Sequence, residues 1–549
     1  MNDGWLVDRS LPPRLLDRLL AGTVGREHLK TAADLAGQTA NAHKDAGLAR
    51  LRVLLLAAAL EEDCLHGPTA ADLVGAAADL GGQSPVAPDF LALAAHIAEA
   101  CRIPDNVAYY QRLLGQNDPA KLRRYLETAC QDARYGLFWL HVALRQAILW
   151  RDFAWGAACL QTGLPSQLAA LRLKISGDLA MLAGQPDLAV TRYKEAATAA
   201  PWPTELFRLG LAAWQAGDRA FALDHLGNLA KRHPWHVSAT LAAADILQSR
   251  DTARIPLPGS LAICCYTYAK ADDLDRTLSG LFASHLGSAV VTVLDNASPD
   301  ATPTVLDAWV NRVGPERLHL VRLPVNIGAP AARNWLMREE TTRQADFVAF
   351  LDDDVDLPED WLPALGAAIA AYPEAGVWGC RVTDAANPAI AQGVDATLLE
   401  SDDGRHEPKL SDLHAETFDY GCFCHMRPCL SVMGCCHVFR RGRLEECGDF
   451  DIRFSPSQWD DVDHDLRLAL AGQPAVYQGH LAVAHRRPAP ALKPLSPQQH
   501  AGAQANNHKL LAKHQDNFAA LGDMVRRVLL EDLETKRSSL AAGGSLLEE

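Results

Sequence analysis

No stretch of this 549-residue chain approaches the roughly 18 consecutive apolar residues that a membrane-spanning helix needs. The best run, residues 53–60, is short and ends in Glu61, Glu62 and Asp63. The opening residues place Asp3, Asp8 and Arg9 among few apolar side chains and lack the apolar stretch of a secretory signal, so the expected location is cytoplasmic. An excess of positive charge is also missing. The formal net charge of −15 argues against a general nucleic-acid binder, which needs a basic face. Cysteine is not scarce, but thirteen is an odd number in a long chain without a signal. Reduced thiols are expected rather than a disulfide framework. What is present is ordinary for a folded protein, at 48% hydrophobic and 22% charged residues, and the length calls for two or more domains.

Strand-like alternation is absent from the first 250 residues, which are rich in Ala and Leu at helical spacing and read as helices. A repeat lies inside them. Ala183-Gly184 returns as Ala216-Gly217, and Pro201-Trp202 returns as Pro234-Trp235, each 33 residues on. Glycine suits a tight turn between two helices, and proline stops the second one. The pattern resembles tetratricopeptide repeats, whose period is about 34. Such arrays offer a concave surface to a partner. Residues 1–165 are expected to be a helical domain, either degenerate repeats or another bundle, and 166–252 the repeat segment.

Pro256, Pro258 and Gly259 break any helix, so 253–259 reads as a linker. Beyond it short apolar runs at 261–265, 289–294, 318–323 and 347–351 alternate with helical patterns, which implies a parallel sheet in an α/β domain. Asp352, Asp353 and Asp354 follow the last of these runs directly. Three carboxylates at the exit of a buried strand cannot be left unpaired. A divalent cation with oxygen ligands would relieve them and would in turn attract phosphate. From about residue 495 the chain is polar and helical again, and 496–549 is expected to be a helical segment closing in a loose tail.

With these motifs in order, residues 260–495 resemble the family 2 glycosyltransferases of the GT-A fold. The implied fold class is an α/β, Rossmann-like nucleotide-diphospho-sugar transferase domain preceded by an all-α, tetratricopeptide-like repeat domain. The resemblance implies nucleoside contacts at Thr267 and Tyr268, in a loop where Ala269 and Lys270 replace the usual Asn and Arg. It gives Asp295 the imide edge of a uracil or thymine, while Asp300 caps a helix. Arg333 either faces the nucleotide or pairs structurally with an Asp. Asp352 and Asp353 face the nucleotide, Asp354 with Asp352 holds Mn2+ or Mg2+, and Asp356 has no assigned task. In Trp459-Asp460-Asp461, Asp461 aligns with the catalytic base; at helical spacing it shares a face with Asp465. His485 completes the metal site, with His480 competing. The crowd of soft ligands at Cys422, Cys424, His425, Cys429, Cys435, Cys436 and Cys447 either holds zinc or packs as small buried thiols.

The implied activity is metal-dependent, inverting transfer of a sugar, from a UDP-sugar rather than a GDP-sugar, to a hydroxyl. The acceptor would be a protein or a cell-surface glycan, recruited by the helical repeats. The competing reading is an interaction scaffold with an inactive transferase domain. A sugar nucleotidyltransferase would want a Gly-rich loop with a Lys early in the domain, and residues 261–270 contain none.

Overall fold

The computed structural model describes residues 6–116, 118–401 and 407–544. The chain forms two compact units: residues 1–244 with 416–422, and residues 245–415 with 423–549. Among the described residues no helix is long and apolar enough to cross a membrane.

The first unit is helical throughout. Fourteen α-helices run from Pro13–Ala21 to Val237–Leu247 among the described residues. The repeat resolves into two helical hairpins, Ala169–Leu182 with Pro186–Ala199 and Phe207–Gln215 with Arg219–Arg232. Gly184 (φ 72°) and Gly217 (φ 88°) make the turns in the left-handed region that glycine alone enters without cost. The 33-residue offset extends to packing. A Cβ on Gly177 would meet the Tyr193 ring at 2.6 Å, and one on Gly210 would meet Leu226 at 2.6 Å. Both glycines therefore let their hairpins close tightly, over buried Ala189 and Ala222.

The second unit is built on β1 (Leu261–Thr267), β2 (Val290–Asp295), β3 (Leu318–Arg322), β4 (Phe347–Leu351), β5 (Val355–Asp356), β6 (Val377–Asp384), β7 (Ala391–Gly393), β8 (Leu398–Glu400), β9 (Pro408–Leu410), β10 (Met426–Cys429), β11 (Cys436–Arg440) and β12 (Ala475–His485). The main sheet runs β10-β12-β6-β11-β4-β1-β2-β3, with β5 on β12 and β7 on β6; β8 and β9 pair separately. The pairings β1/β2, β2/β3, β1/β4 and β6/β12 are parallel. The four runs read from the sequence pair in parallel as expected, while β11, which the sequence did not reveal, runs antiparallel to both β4 and β6. Cys436 pairs with Leu351, so β11 starts where β4 ends and must run back across the sheet.

Both faces of the central strands are covered, which is why they read as continuous apolar runs rather than alternating ones. One core holds Ile263, Cys265, Val291, Val293, Ala349, Leu351 and Val438 from the sheet. It holds Leu274, Leu278 and Leu281 from the helix Ala271–Ala283, and Trp361 and Leu365 from the helix Trp361–Ala371. Each Leu or Ile so buried contributes about 1.5–3 kcal/mol. The parallel register then delivers the ends of β1, β2 and β4, with Thr267, Asp295 and Asp352, to one edge.

The loose tail is corrected. Residues through Gly544 belong to one long helix, Phe518–Gly544, while 545–549 lie outside the described residues. Leu521, Val525, Leu529 and Leu533 recur every fourth residue and are buried, and Lys536 follows them into the interior. Its ammonium donates to the Met426 carbonyl at 2.5 Å and to Asp532 at 2.9 Å, and lies 3.7 Å from Asp245. Burial would raise the Asp245 carboxyl, but Lys536 and His480 hold it down at about 2. Lys536→Met is expected to lower stability by about 3 kcal/mol in urea denaturation, because it removes the buried cation from Asp532 and Asp245, which keep the Tyr372 hydroxyl and His480 respectively.

Candidate functional site

The cleft at the carboxyl edge of the sheet has a volume of about 810 Å³, in the range of small-molecule sites. It brings together Tyr268, Arg333, Asp352, Asp353, Asp461 and His485. Thr267 and Asp295 are buried and do not line it. Asp295 uses Oδ1 to accept from the Ser298 N–H at 2.9 Å.

The acidic loop is held from several sides. Tyr266 donates its hydroxyl to Asp352 Oδ1 at 3.3 Å. Thr277 donates to the carbonyl of Asp353 at 2.9 Å, and the Arg486 N–H donates to the carbonyl of Asp354 at 2.8 Å. The Arg486 guanidinium pairs with Asp273 and Asp356, and Arg276 lies 3.4 Å from Asp356. Asp356, unassigned in the sequence, thus anchors the loop from below.

Asp352, Asp354 and His485 each present one ligand atom within 4.8 Å of the others, the only such group of three among the described residues. The donor set is two carboxylate oxygens and an imidazole nitrogen, which suits a divalent ion such as Mn2+. A hydrogen-bond chain sets the histidine tautomer. The Gln392 amide donates to Asp384 Oδ2 at 3.1 Å and to the Arg487 carbonyl at 2.8 Å, which turns its Oε1 toward His485 Nδ1 at 2.9 Å. His485 Nδ1–H donates to it, and Nε2 faces Asp354 Oδ1 at 3.0 Å. The imidazole and the two carboxylates thus lie together in the interior, a donor set that suits a divalent cation. Burial, then the neighbouring Asp354, raises Asp352, and burial pushes Asp353 up to about 6, while against the cost of burial His485 and Lys270 hold Asp354 low. His480 instead pairs with Asp245 at 2.9 Å and is not part of this group.

Asp461 opens the helix Asp460–Leu470 and is half-buried. Its Oδ2 accepts from the Gly434 N–H at 2.9 Å. A Cβ on Gly434 would lie 2.6 Å from that same oxygen. Gly434→Ala is therefore expected to lower kcat about 10- to 100-fold through displacement of Asp461, with nucleotide affinity unchanged in calorimetry. Ahead of the helix, Gln458 (φ 78°) and Trp459 (φ 72°) both lie in the left-handed region and both line the cleft. Two such residues in succession cost energy and commonly mark a working site.

The neighbouring carboxylates have other work. Asp460 is buried against Arg333, whose guanidinium lies 5.4 Å from the Tyr266 and Phe450 ring centres. Of the two readings of Arg333, structural pairing is the one these contacts describe. Asp465 is fully buried and accepts from Ser431 Oγ at 2.7 Å and the Val432 N–H at 3.1 Å; burial raises its carboxyl well above the usual range. The cysteines pack as thiols. All thirteen are free, and Cys429, Cys435 and Cys436 are buried. Burial raises the Cys429 and Cys435 thiols, which makes them inert. No group of three zinc ligands forms around them among the described residues.

Sequence reasoning missed Gln392, which sits on the three-residue strand β7 and carries no motif, and it missed the closeness of Gly434 to Asp461. It noted Lys270 only as a replacement. In the structure its ammonium lies 2.6 Å from Asp354 Oδ2 and 3.1 Å from Asp353 Oδ1.

Residues 260–428 match the family described as Glycosyl transferase family 2. No curated protein matches the chain. Among solved structures, the mannosyltransferase PcManGT from Pyrobaculum calidifontis, in complex with GDP-Man and Mn2+, is similar at 18% identity and a TM-score of 0.36; the match covers 60% of this chain and 86% of that one. GalNAc-T7, with UDP, GalNAc and Mn2+, is similar at 12% identity and a TM-score of 0.37, over 46% of this chain and 48% of that one. S. aureus TarS 1-349 is similar at 16% identity and a TM-score of 0.29, over 41% and 60%.

Proposed function

We propose, on the premise that residues 260–428 form a family 2 glycosyltransferase domain acting on a nucleotide sugar, that transfer here is metal-dependent and inverting, with Asp461 as the base. The observation that carries this is the grouping of Asp352, Asp354 and His485, of which Asp352 and His485 line the same cleft as Asp461. A divalent ion held by those three side chains would supply positive charge to the departing diphosphate.

The remaining work falls to the chain itself. Asp461 accepts the proton of an acceptor hydroxyl as its oxygen forms a bond to the anomeric carbon. The bond to the diphosphate oxygen breaks on the opposite face, so the anomeric configuration inverts. A double displacement would need a second carboxylate as nucleophile. Asp460 is tied to Arg333 and Asp465 is buried against Ser431 and Val432, so neither is free for it. Gln392 holds His485, and Tyr266 holds Asp352, in the orientation that ion binding requires.

The proposed donor is a UDP-sugar, on the family resemblance at Asp295, whose carboxylate lies buried at the end of β2 with Oδ1 accepting from the Ser298 N–H. The proposed acceptor is a hydroxyl on a protein or a cell-surface glycan, with the helical hairpins of the first unit as the recruiting surface. The proposed domain division places recruitment in 1–252 and chemistry in 260–495.

The test is a panel of UDP-, dTDP- and GDP-sugars incubated with the full-length protein and Mn2+. Nucleoside diphosphate release and the anomeric configuration of the product would be followed by NMR. Release from the UDP-sugars with inverted product is expected. No turnover together with no nucleotide binding would instead favour an interaction scaffold.

A further inference from the structure

We infer that Lys270 is an exchangeable counter-ion: its ammonium occupies the acidic loop until a divalent cation arrives, and then turns to the donor's diphosphate. This rests on the metal site described above and deepens it. It makes cation and nucleotide binding mutually dependent.

The geometry begins with Asp354, whose two oxygens are divided. Oδ1 faces His485 Nε2 at 3.0 Å, while Oδ2 takes the Lys270 ammonium at 2.6 Å. The same ammonium reaches Asp353 Oδ1 at 3.1 Å. A doubly charged ion on Asp354 would therefore sit beside a positive charge in a partly desolvated place, where like charges repel strongly. One of them has to leave. The carboxylates cannot follow: the side chains of Asp353 and Asp354 are 9% and 4% exposed, and their carbonyls are held by Thr277 and Arg486.

Lys270 can move. Its side chain is 38% exposed, and it has a long flexible stem and follows Ala269, which adopts φ 55° in the loop after β1. Lys270 also lines the cleft, so the open direction is the one from which the diphosphate comes. An ammonium released into that space meets the phosphate oxygens and adds a charge-assisted hydrogen bond to them.

Linkage then fixes the sign. Cation binding frees Lys270 for the nucleotide, and the nucleotide holds Lys270 away from the cation's place, so each tightens the other by the same factor. Without nucleotide, the lysine keeps the loop neutralised and cation affinity low.

The experiment is an Mn2+ titration of the full-length protein, with free ion read by electron paramagnetic resonance, in the presence and absence of UDP. Wild type, Lys270→Met and Lys270→Arg are compared. In wild type, UDP is expected to tighten Mn2+ about 10-fold or more. Lys270→Met is expected to bind Mn2+ alone about 10-fold more tightly than wild type, with UDP adding less than about 3-fold. Lys270→Arg keeps the charge and is expected to keep the wild-type coupling. The inference is overturned if Lys270→Met binds Mn2+ alone no more tightly than wild type, or if Lys270→Arg behaves like Lys270→Met. Wild type that binds no Mn2+ even with UDP would remove the underlying metal site, a failure distinct from these two.

Discussion

Asn in place of Asp461 is expected to lower kcat by about 10³-fold while UDP and Mn2+ affinities stay within about twofold of wild type. The substitution keeps the shape of the side chain and still allows an oxygen to accept from the Gly434 N–H, which lies 2.9 Å from the native Oδ2. What it removes is the ability to take a proton. The loss therefore appears in the step where the acceptor oxygen attacks, and not in donor binding. Single-turnover kinetics with saturating donor would separate the two. Full activity in this variant would withdraw the base assignment, because Asp460 and Asp465 are already engaged by Arg333 and by the 431–432 backbone and hydroxyl.

Asp354→Ala is expected to abolish the Mn2+-dependent part of UDP binding in calorimetry and to reduce kcat/KM by at least about 10³-fold. Ala at this position removes one of three ligand atoms and leaves both His485 Nε2 and the Lys270 ammonium without their shared partner. Asp356→Ala makes a useful contrast. It takes one of two carboxylates from Arg486, which keeps Asp273, and removes the Asp356 contact of Arg276, yet it leaves the three ligand atoms in place. Metal-dependent heat that survives Asp354→Ala would contradict the site.

The two variants together also show what was legible in the chain before it folded. The strands 261–267, 290–295 and 347–351 announced themselves because each is buried on both faces, and burial of that kind leaves an unbroken apolar run. The acidic loop was legible for the opposite reason: three carboxylates at a buried strand's exit are intolerable without a purpose. β11 was hidden, since Cys436-His437-Val438-Phe439-Arg440 begins inside a cysteine-rich stretch whose soft side chains suggested a different chemistry. The closing helix was legible as a helix, but its docking was hidden because its apolar stripe, one residue in four, is thin among charged neighbours. Gln392 left no trace at all, because its role is set by partners at 384, 485 and 487 that only tertiary structure assembles. Arg333 was legible as an important residue but not as to which partner it would choose. That choice depends on how close Asp460 comes, which spacing along the chain does not reveal.

The helix that carries Asp461 is stitched to the segment 431–434 at two points one turn apart. Asp465 grips Ser431 and Val432, and Asp461 grips Gly434. The two stitches act like a ruler, so the segment between them has a fixed length. Met433, between the stitches, lines the cleft and rests on Gly393 at the edge of the core. Insertion or deletion of even one residue would throw the proton acceptor out of registration. Diversification of this wall is therefore channelled into swaps of side chain, never into changes of loop size.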